Sequence, residues 1–261
     1  MEKLKHQKIF NFNFISDSNH QLTIEHMMSN ENYGIEDDFY PFLITPNVDQ
    51  IVKFSDSKLN ELRTFYEKSA YIFPDGQPIV WSSKLLKKPL QSRLTGSDFF
   101  PKIWERIKNE NKKALLIVPS EKIAQKLEDE YMHCKCYVPP FFKVEEKQYE
   151  NIKADILNEM KSFEPDFFFI GLGFPKQEIL AKDLYMKMSD NNRRMPLTLL
   201  LGASFEFYTG ETKRAPQWMQ KIGMEWFYRF TQEPKRMFKR YFVDDLKFIS
   251  LVLKEIGYNK S

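Results

Sequence analysis

A carboxylate that could take a proton stands in Pro74-Asp75-Gly76, directly after the apolar run Tyr71-Ile-Phe73. At the carboxyl end of a strand, partly withdrawn from water, Asp75 could accept the proton of an attacking hydroxyl. Pro-Asp-Gly is equally what a plain tight turn wants, and local sequence leaves both readings open. Thr45 and Asn47 end an earlier apolar run in the same way. Asn47 suits a helix N-cap, and the pair could also face a polar ligand on the rim that holds Asp75. The sharpest motif is Gly171-Leu-Gly173-Phe-Pro-Lys-Gln-Glu178. Two glycines between a strand and a helix let the backbone approach a ligand, and the helix N-terminus favours an anion. Lys176 and Gln177 fall in that helix's first turn. Lys176 replaces the third glycine of a dinucleotide fingerprint, so the spacing points to a phosphate-bearing ligand without that motif. Arg93, in Arg-Leu-Thr-Gly-Ser-Asp98, could pair with a diphosphate in bidentate fashion. The same stretch could simply be a loop in which Ser97 caps the next helix.

Other chemistries are poorly served. His133, Cys134 and Cys136 have no second cluster to complete a zinc site, and no Asp-x-Asp pair, nucleophile elbow or Walker loop occurs. No metal or cofactor is expected. The two cysteines lie too close together to staple a framework, which makes a reducing compartment the default.

The elements that must position these residues are legible as alternating apolar runs and amphipathic stretches between 41 and 203. Strands are expected at 41–45, 71–73, 114–118, near 136–138, at 167–170 and at 197–201. Helices are expected at 48–66 with Asn47 as cap, and at 78–87, 98–109 and 120–131 with Ser120 as cap. Two more are expected at 148–162 and 176–188. Near-continuous apolar strands alternating with helices imply an α/β fold whose parallel sheet is covered on both faces. Ligands of such sheets bind in the loops just past the strands' carboxyl ends, where Thr45, Asn47, Asp75, Gly171, Gly173, Lys176 and Gln177 all fall. Phe10, Phe12 and Phe14 alternate as in a strand, with a helix after Ser18.

Composition is that of an ordinary globular chain of 261 residues, 42% hydrophobic and 29% charged. Neither a secretory signal nor a membrane-spanning run is visible. Charge is uneven: from Gly210 to Ser261 there are 11 Lys and Arg against 6 Asp and Glu, while the preceding residues hold 28 against 30. The chain therefore divides into an α/β core, 1–208, and a basic, aromatic-rich helical appendage, 209–261. In the appendage Trp218, Met219, Trp226, Phe227 and Phe230 interleave with Lys221, Arg229, Lys235 and Arg236, and Pro234 is expected to break a helix. Rings beside cations suit an anionic membrane surface. A packed appendage or a nucleic-acid face fits the same residues less well.

TPNVDQIV at 45–52, FPDGQPIVW at 73–81, RLTGSDFFP at 93–101 and PDFFFIGLGFPKQE at 165–178 recur together with KRAPQWMQKIGMEWFYRFTQEPKRMFKRY at 213–241. In order and spacing they resemble the WecG/TagA/CpsF family of bacterial glycosyltransferases, over about residues 40–256. The resemblance implies a Rossmann-like core with a membrane-contacting C-terminal appendage, on the inner face of the cell membrane in the cytoplasm. It implies transfer from a UDP-sugar, N-acetylmannosamine or its uronic acid, to a polyprenyl-diphosphate-linked N-acetylglucosamine. Inversion at the anomeric carbon without an obligatory metal belongs to the same implication, and the UDP-sugar is a co-substrate rather than a cofactor.

Carried over residue by residue, Asp75 becomes the general base. Thr45, Asn47, Arg93 and Gln177 line the pocket, and Arg214, Arg229 and Arg236 meet the lipid diphosphate or the departing UDP. A hexose donor and an idle membrane-docked scaffold are the rival readings. Nucleic acid is not an expected partner, and self-association off the membrane is. Two departures stand out: Pro119-Ser120 and Gly202-Ala203-Ser204-Phe205-Glu206 replace stretches where the family carries paired glycines, the second of them ending in Asp. Deleting 210–261 is expected to abolish transfer while the core still folds.

Overall fold

The computed structural model describes residues 3–18, 20–29, 39–191, 193–216, 218–219, 224–232, 234 and 245–258. Among them, six strands form a wholly parallel sheet in the order β4-β3-β8-β7-β5-β6. They are β3 (Tyr40–Ile44), β4 (Ser69–Ile72), β5 (Ala114–Ile117), β6 (Cys134–Tyr137), β7 (Phe167–Ile170) and β8 (Leu197–Leu200). Successive side chains point to opposite faces, so an all-apolar strand feeds two cores. Phe42, Ile44, Leu115, Ile117, Phe168 and Ile170 enter one buried cluster, and Leu43, Leu116, Phe169 and Leu199 enter the other. The Rossmann-like α/β architecture expected from the sequence is the one observed.

The covering helices are α1 (Gln21–Ser29), α2 (Val48–Phe54), α3 (Asn60–Tyr66), α4 (Gln77–Leu85), α5 (Gly96–Asn109), α6 (Glu121–Glu130), α7 (Lys147–Phe163) and α8 (Lys176–Asp190). In α5, Phe99, Phe100, Ile103, Trp104 and Ile107 recur on one helical face and are wholly buried. Its cap is Thr95, whose Oγ1 accepts from the Asp98 N–H at 3.1 Å, and not the expected Ser97. The helix expected over 48–66 is broken. The Ser55 hydroxyl donates to the Val52 carbonyl at 2.6 Å, and the Asp56 carboxylate accepts from the Lys58 N–H at 3.0 Å. These local bonds divert the backbone into a 3-10 turn, Ser57–Leu59, before α3 begins.

Residues 6–15 form an antiparallel hairpin of β1 (His6–Ile9) and β2 (Phe12–Ile15), where a single phenylalanine-lined strand was expected. Phe10 and Asn11 occupy its tip with φ of 52° and 68°, the pairing a two-residue hairpin turn requires. Phe10 thereby leaves the strand and meets Phe248, ring centroids 5.3 Å apart.

That contact shows how the C-terminal residues are placed. After α9 (Ser204–Tyr208), a helix spans Glu225–Gln232, and the last helix spans Asp245–Tyr258; Pro234 itself is helical. Phe248 and Val252 of the last helix are buried in the same cluster as Ile51 and Phe54 of α2. A deletion of 210–261 therefore also removes two side chains buried against α2. Trp218, Phe227, Ile249 and Leu253 remain exposed. No helix among the described residues is long and apolar enough to cross a membrane.

Candidate active site

The parallel register sets the carboxyl ends of the strands in one row. Ile44 pairs with Ile72 on one side and with Leu200 on the other, and Leu200 with Ile170. Just beyond that row lies a cleft of about 720 Å³. Its walls include Thr45 and Asn47 after β3, Asp75 after β4, Gly171 and Gly173 after β7, Lys176 and Gln177 at the start of α8, and Gly202 and Glu206 after β8. Seven residues singled out by strand-end position are thus brought together. A second hollow, about 580 Å³, lies at the opposite end of β7 and β8 among Glu164, Asp166, Arg193 and Arg194, away from all of them.

Asp75 is held by main-chain bonds. Its N–H donates to the Pro46 carbonyl at 3.2 Å, and Pro74's carbonyl accepts from the Leu94 N–H at 3.1 Å. Gly76 follows at φ 132°, a conformation that favours glycine, and turns the chain into α4. Asn47 does cap α2, in a reciprocal box: its side chain accepts from the Gln50 N–H at 3.1 Å, and Gln50's side chain accepts from the Asn47 N–H at 2.9 Å. It lines the cleft as well, so the two readings of this residue coexist.

Gly171 of the β7 loop has a packing reason that the sequence did not show. A Cβ on Gly171 would stand 2.2 Å from the Phe205 ring, so the residue is small because β8's loop packs on it. At Gly173 a Cβ would meet nothing within 4 Å. Gln177 is buried and ties the same two loops. Its Oε1 accepts from the Gly202 N–H at 3.2 Å, and its Nε2 donates to Glu178 at 2.9 Å. Ala203, where the family carries a second glycine, sits at an unstrained φ of −75°.

Arg93 and Arg214 do not line this cleft. Arg93 pairs with Glu225 at 3.1 Å and lies 3.9 Å from Asp98. Arg214 donates to Asp98 at 2.6 Å, with Glu225 3.9 Å away. Two arginines and two carboxylates thus join the core to the C-terminal residues. Burial opposes ionisation of Arg214, but Asp98, Glu225 and Asp75 together raise its pKa above the usual guanidinium value. Burial would raise the pKa of Asp98; Arg214, Thr95 and Arg93 overcome it and hold that carboxyl below its ordinary range. Arg214 Nη2 is buried with no acceptor among the described residues. Arg229 falls in the helix Glu225–Gln232, and Arg236 lies outside the described residues.

Two acids escaped the sequence reading. Glu206 lines the cleft with one carboxyl oxygen buried and unpartnered, and burial raises its pKa. Glu178 is fully buried; burial lifts its pKa to about 7 against the hydrogen bond from Gln177. Both stand inside quoted motifs, and the only signal was their position past a strand end.

The cleft combines one carboxylate on a fixed loop with the N-termini of α2, α5 and α8, a setting suited to an anionic ligand and a hydroxyl to be deprotonated. The model of the glycosyl transferase WecG/TagA/CpsF family matches residues 13–261. An N-acetylglucosaminyldiphosphoundecaprenol N-acetyl-beta-D-mannosaminyltransferase of Bacillus subtilis is 28% identical, covering 81% of this chain and 79% of its own length. Proteins of the same name from Staphylococcus aureus and Bacillus spizizenii are each 26% identical, covering 75% and 82% of this chain and 74% and 79% of their own lengths.

Proposed function

Because this chain belongs to the WecG/TagA/CpsF glycosyl transferase family and is a glycosyltransferase, we propose that it moves N-acetylmannosamine, or a close relative, from UDP to N-acetylglucosaminyl-diphosphoundecaprenol. The observation that carries this reading is the convergence of Thr45, Asn47 and Asp75 with the Gly171–Gln177 loop on one cleft. Asp75 takes the proton of the acceptor hydroxyl as that oxygen attacks the anomeric carbon, and UDP leaves from the opposite face. One displacement inverts the centre and asks for a base but no protein nucleophile. Negative charge growing on the diphosphate is met by helix N-termini and by Lys176, with Arg214, which stands outside the cleft lining in ion pairs with Asp98 and Glu225, able to turn toward it, so no divalent cation is required. The exposed Trp218, Phe227, Ile249 and Leu253, on a basic stretch of chain, suit the headgroup boundary where a lipid-linked acceptor resides. The enzyme then works from the inner face of the cell membrane.

Incubating the protein with the lipid-linked acceptor and a panel of UDP-sugars, and following the glycolipid by mass, tests the proposal. One donor should give a mass-shifted product, with Asp75→Asn slowing it about 10²–10⁴-fold and EDTA leaving it intact. No product from any donor, or full activity in Asp75→Asn, would sink it.

A further inference from the structure

Helix α4 leaves Asp75 and Gly76 directly and turns one face into the core. Ile79 and Val80 are buried, and the Ser83 hydroxyl donates to the Val80 carbonyl at 2.7 Å while accepting from the Leu90 N–H at 2.9 Å. With the inner face fixed in this way, Pro78, Trp81, Lys84 and Leu85 share the outer one, at spacings of three and four residues. Trp81 is 57% exposed and Leu85 63%. Packing within the chain accounts for neither side chain, and two large apolar groups side by side in water mark a contact surface.

The charge around them has one sign. Between Asp75 and Asp98 the sequence holds Lys84, Lys87, Lys88 and Arg93 and no acid at all. Arg93 pairs with Glu225 at 3.1 Å and Lys88 lies 3.8 Å from Glu255, whereas Lys84 and Lys87 are exposed and form no ion pair among the described residues. Cations at a helix C-terminus complement the helix dipole, which explains their place but not the tryptophan and leucine beside them. A ring, an aliphatic chain and free ammonium groups on one short helix meet the needs of an anionic lipid surface. There the apolar groups enter the headgroup boundary and the lysines stay on the phosphates. A second copy of the chain would bring the same positive charge to the contact and be repelled by it.

Its place in the sheet gives this surface a use. β4 is an outermost strand, and α4 starts at the rim of the cleft, directly after Asp75. Trp81 lies in the helix's second turn, roughly 6 Å past its start. We propose that the outer face of α4 rests on an anionic phospholipid bilayer, with Trp81 and Leu85 at the headgroup boundary and Lys84 and Lys87 over lipid phosphates. The contact belongs to the α/β core itself and adds to the exposed C-terminal residues already assigned to the membrane. Its consequence for catalysis rests on the transferase reading. With the bilayer against this edge, the hydroxyl of a lipid-linked acceptor reaches Asp75 without its diphosphate leaving the headgroup layer.

Tryptophan quenching reads the contact directly. In a Trp218→Phe, Trp226→Phe variant only Trp81 and the wholly buried Trp104 emit. The probe is a vesicle of phosphatidylglycerol and phosphatidylcholine, with the bound fraction set by cosedimentation. Trp81 emission should shift to the blue and be quenched by lipids brominated on their acyl chains, and both responses should vanish when Trp81→Phe is added. Vesicles of phosphatidylcholine alone should bind weakly. In the otherwise native chain, Trp81→Ser with Leu85→Ser should weaken binding to the anionic vesicles about tenfold, and Lys84→Gln and Lys87→Gln about fivefold each at low salt. These side chains are exposed, so their loss empties no core. Absence of binding to either vesicle, or bound protein whose Trp81 is neither shifted nor quenched, would overturn the inference. So would a Trp81→Ser, Leu85→Ser chain that binds vesicles as wild type does but loses self-association in sedimentation velocity, since the face would then belong to a second copy. Glycolipid synthesis by a chain whose Trp81 stays in water removes this surface and leaves the transferase standing. Quenched Trp81 with no product from any donor does the reverse.

Discussion

The loop that carries Asp75 is tied to two neighbouring loops by main-chain hydrogen bonds, at Pro46 and Leu94, whereas Arg214 is joined to the same end of the sheet by ion pairs with Asp98 and Glu225. Main-chain bonds of this kind are indifferent to salt and to the pH range in which enzymes work. Ion pairs are screened by salt, and a carboxylate in one can be exchanged for another anion. On the proposed reading the base is therefore preset by the fold, while Arg214 is held by carboxylates for which a diphosphate can compete. That division suits a reaction in which the proton acceptor must be in place at all times and the counter-charge is needed as UDP departs.

The comparison is open to attack most directly at Arg214. Arg214→Ala should cut transfer about hundredfold, of the order seen when a charge-stabilising donor is lost, and shift the melting temperature by only a few degrees. A variant that loses its fold together with its activity would show that the pairs are structural supports. A smaller effect separates the two roles of Asn47. Asn47→Asp keeps an N-cap acceptor and should retain stability, but it loses the amide's donor and should transfer sugar several-fold more slowly; Asn47→Ala should in addition lose about 1 kcal/mol. Full activity in a stable Asn47→Asp would confine the residue to capping.

An effect on stability alone, with none expected on the chemistry, lies at Glu178. Burial raises its folded-state pKa to about 7. A carboxyl that binds its proton more tightly when folded contributes stability below its unfolded pKa, and that contribution is lost as pH rises through about 7. Glu178→Gln, which stays neutral, should therefore melt higher than wild type at pH 8 and match it near pH 4. The same difference at both pH values would mean that the carboxyl is not the cause.

Much of this frame is written in local sequence. Apolar runs such as Phe167–Ile170, short, aromatic and bounded by Pro and Gly, read as strands buried on both faces, and the caps Asn47 and Ser120 follow from residue type next to a periodic stretch. Since loops past the carboxyl ends of parallel strands converge, the cleft-lining positions came with the strands. What was not legible depends on partners far away along the chain. Gly171 is small because of Phe205, and Arg93 is engaged by Glu225, 132 residues on. No window of sequence holds either pair. The break after α2 was hidden differently, because helical spacing of Val48, Ile51, Val52, Leu59 and Leu62 continues across a stretch that Ser55 and Asp56 divert.

The meeting of Phe10 with Phe248 carries a consequence for how the molecule comes into being. The hairpin at the start of the chain and the helix near its end share one apolar cluster with α2. During synthesis the hairpin and the exposed side of α2 emerge from the ribosome roughly two hundred residues before their last partner, and must wait in water with that surface uncovered. A chain released before that last helix would present a greasy seam for chaperones and proteases to find.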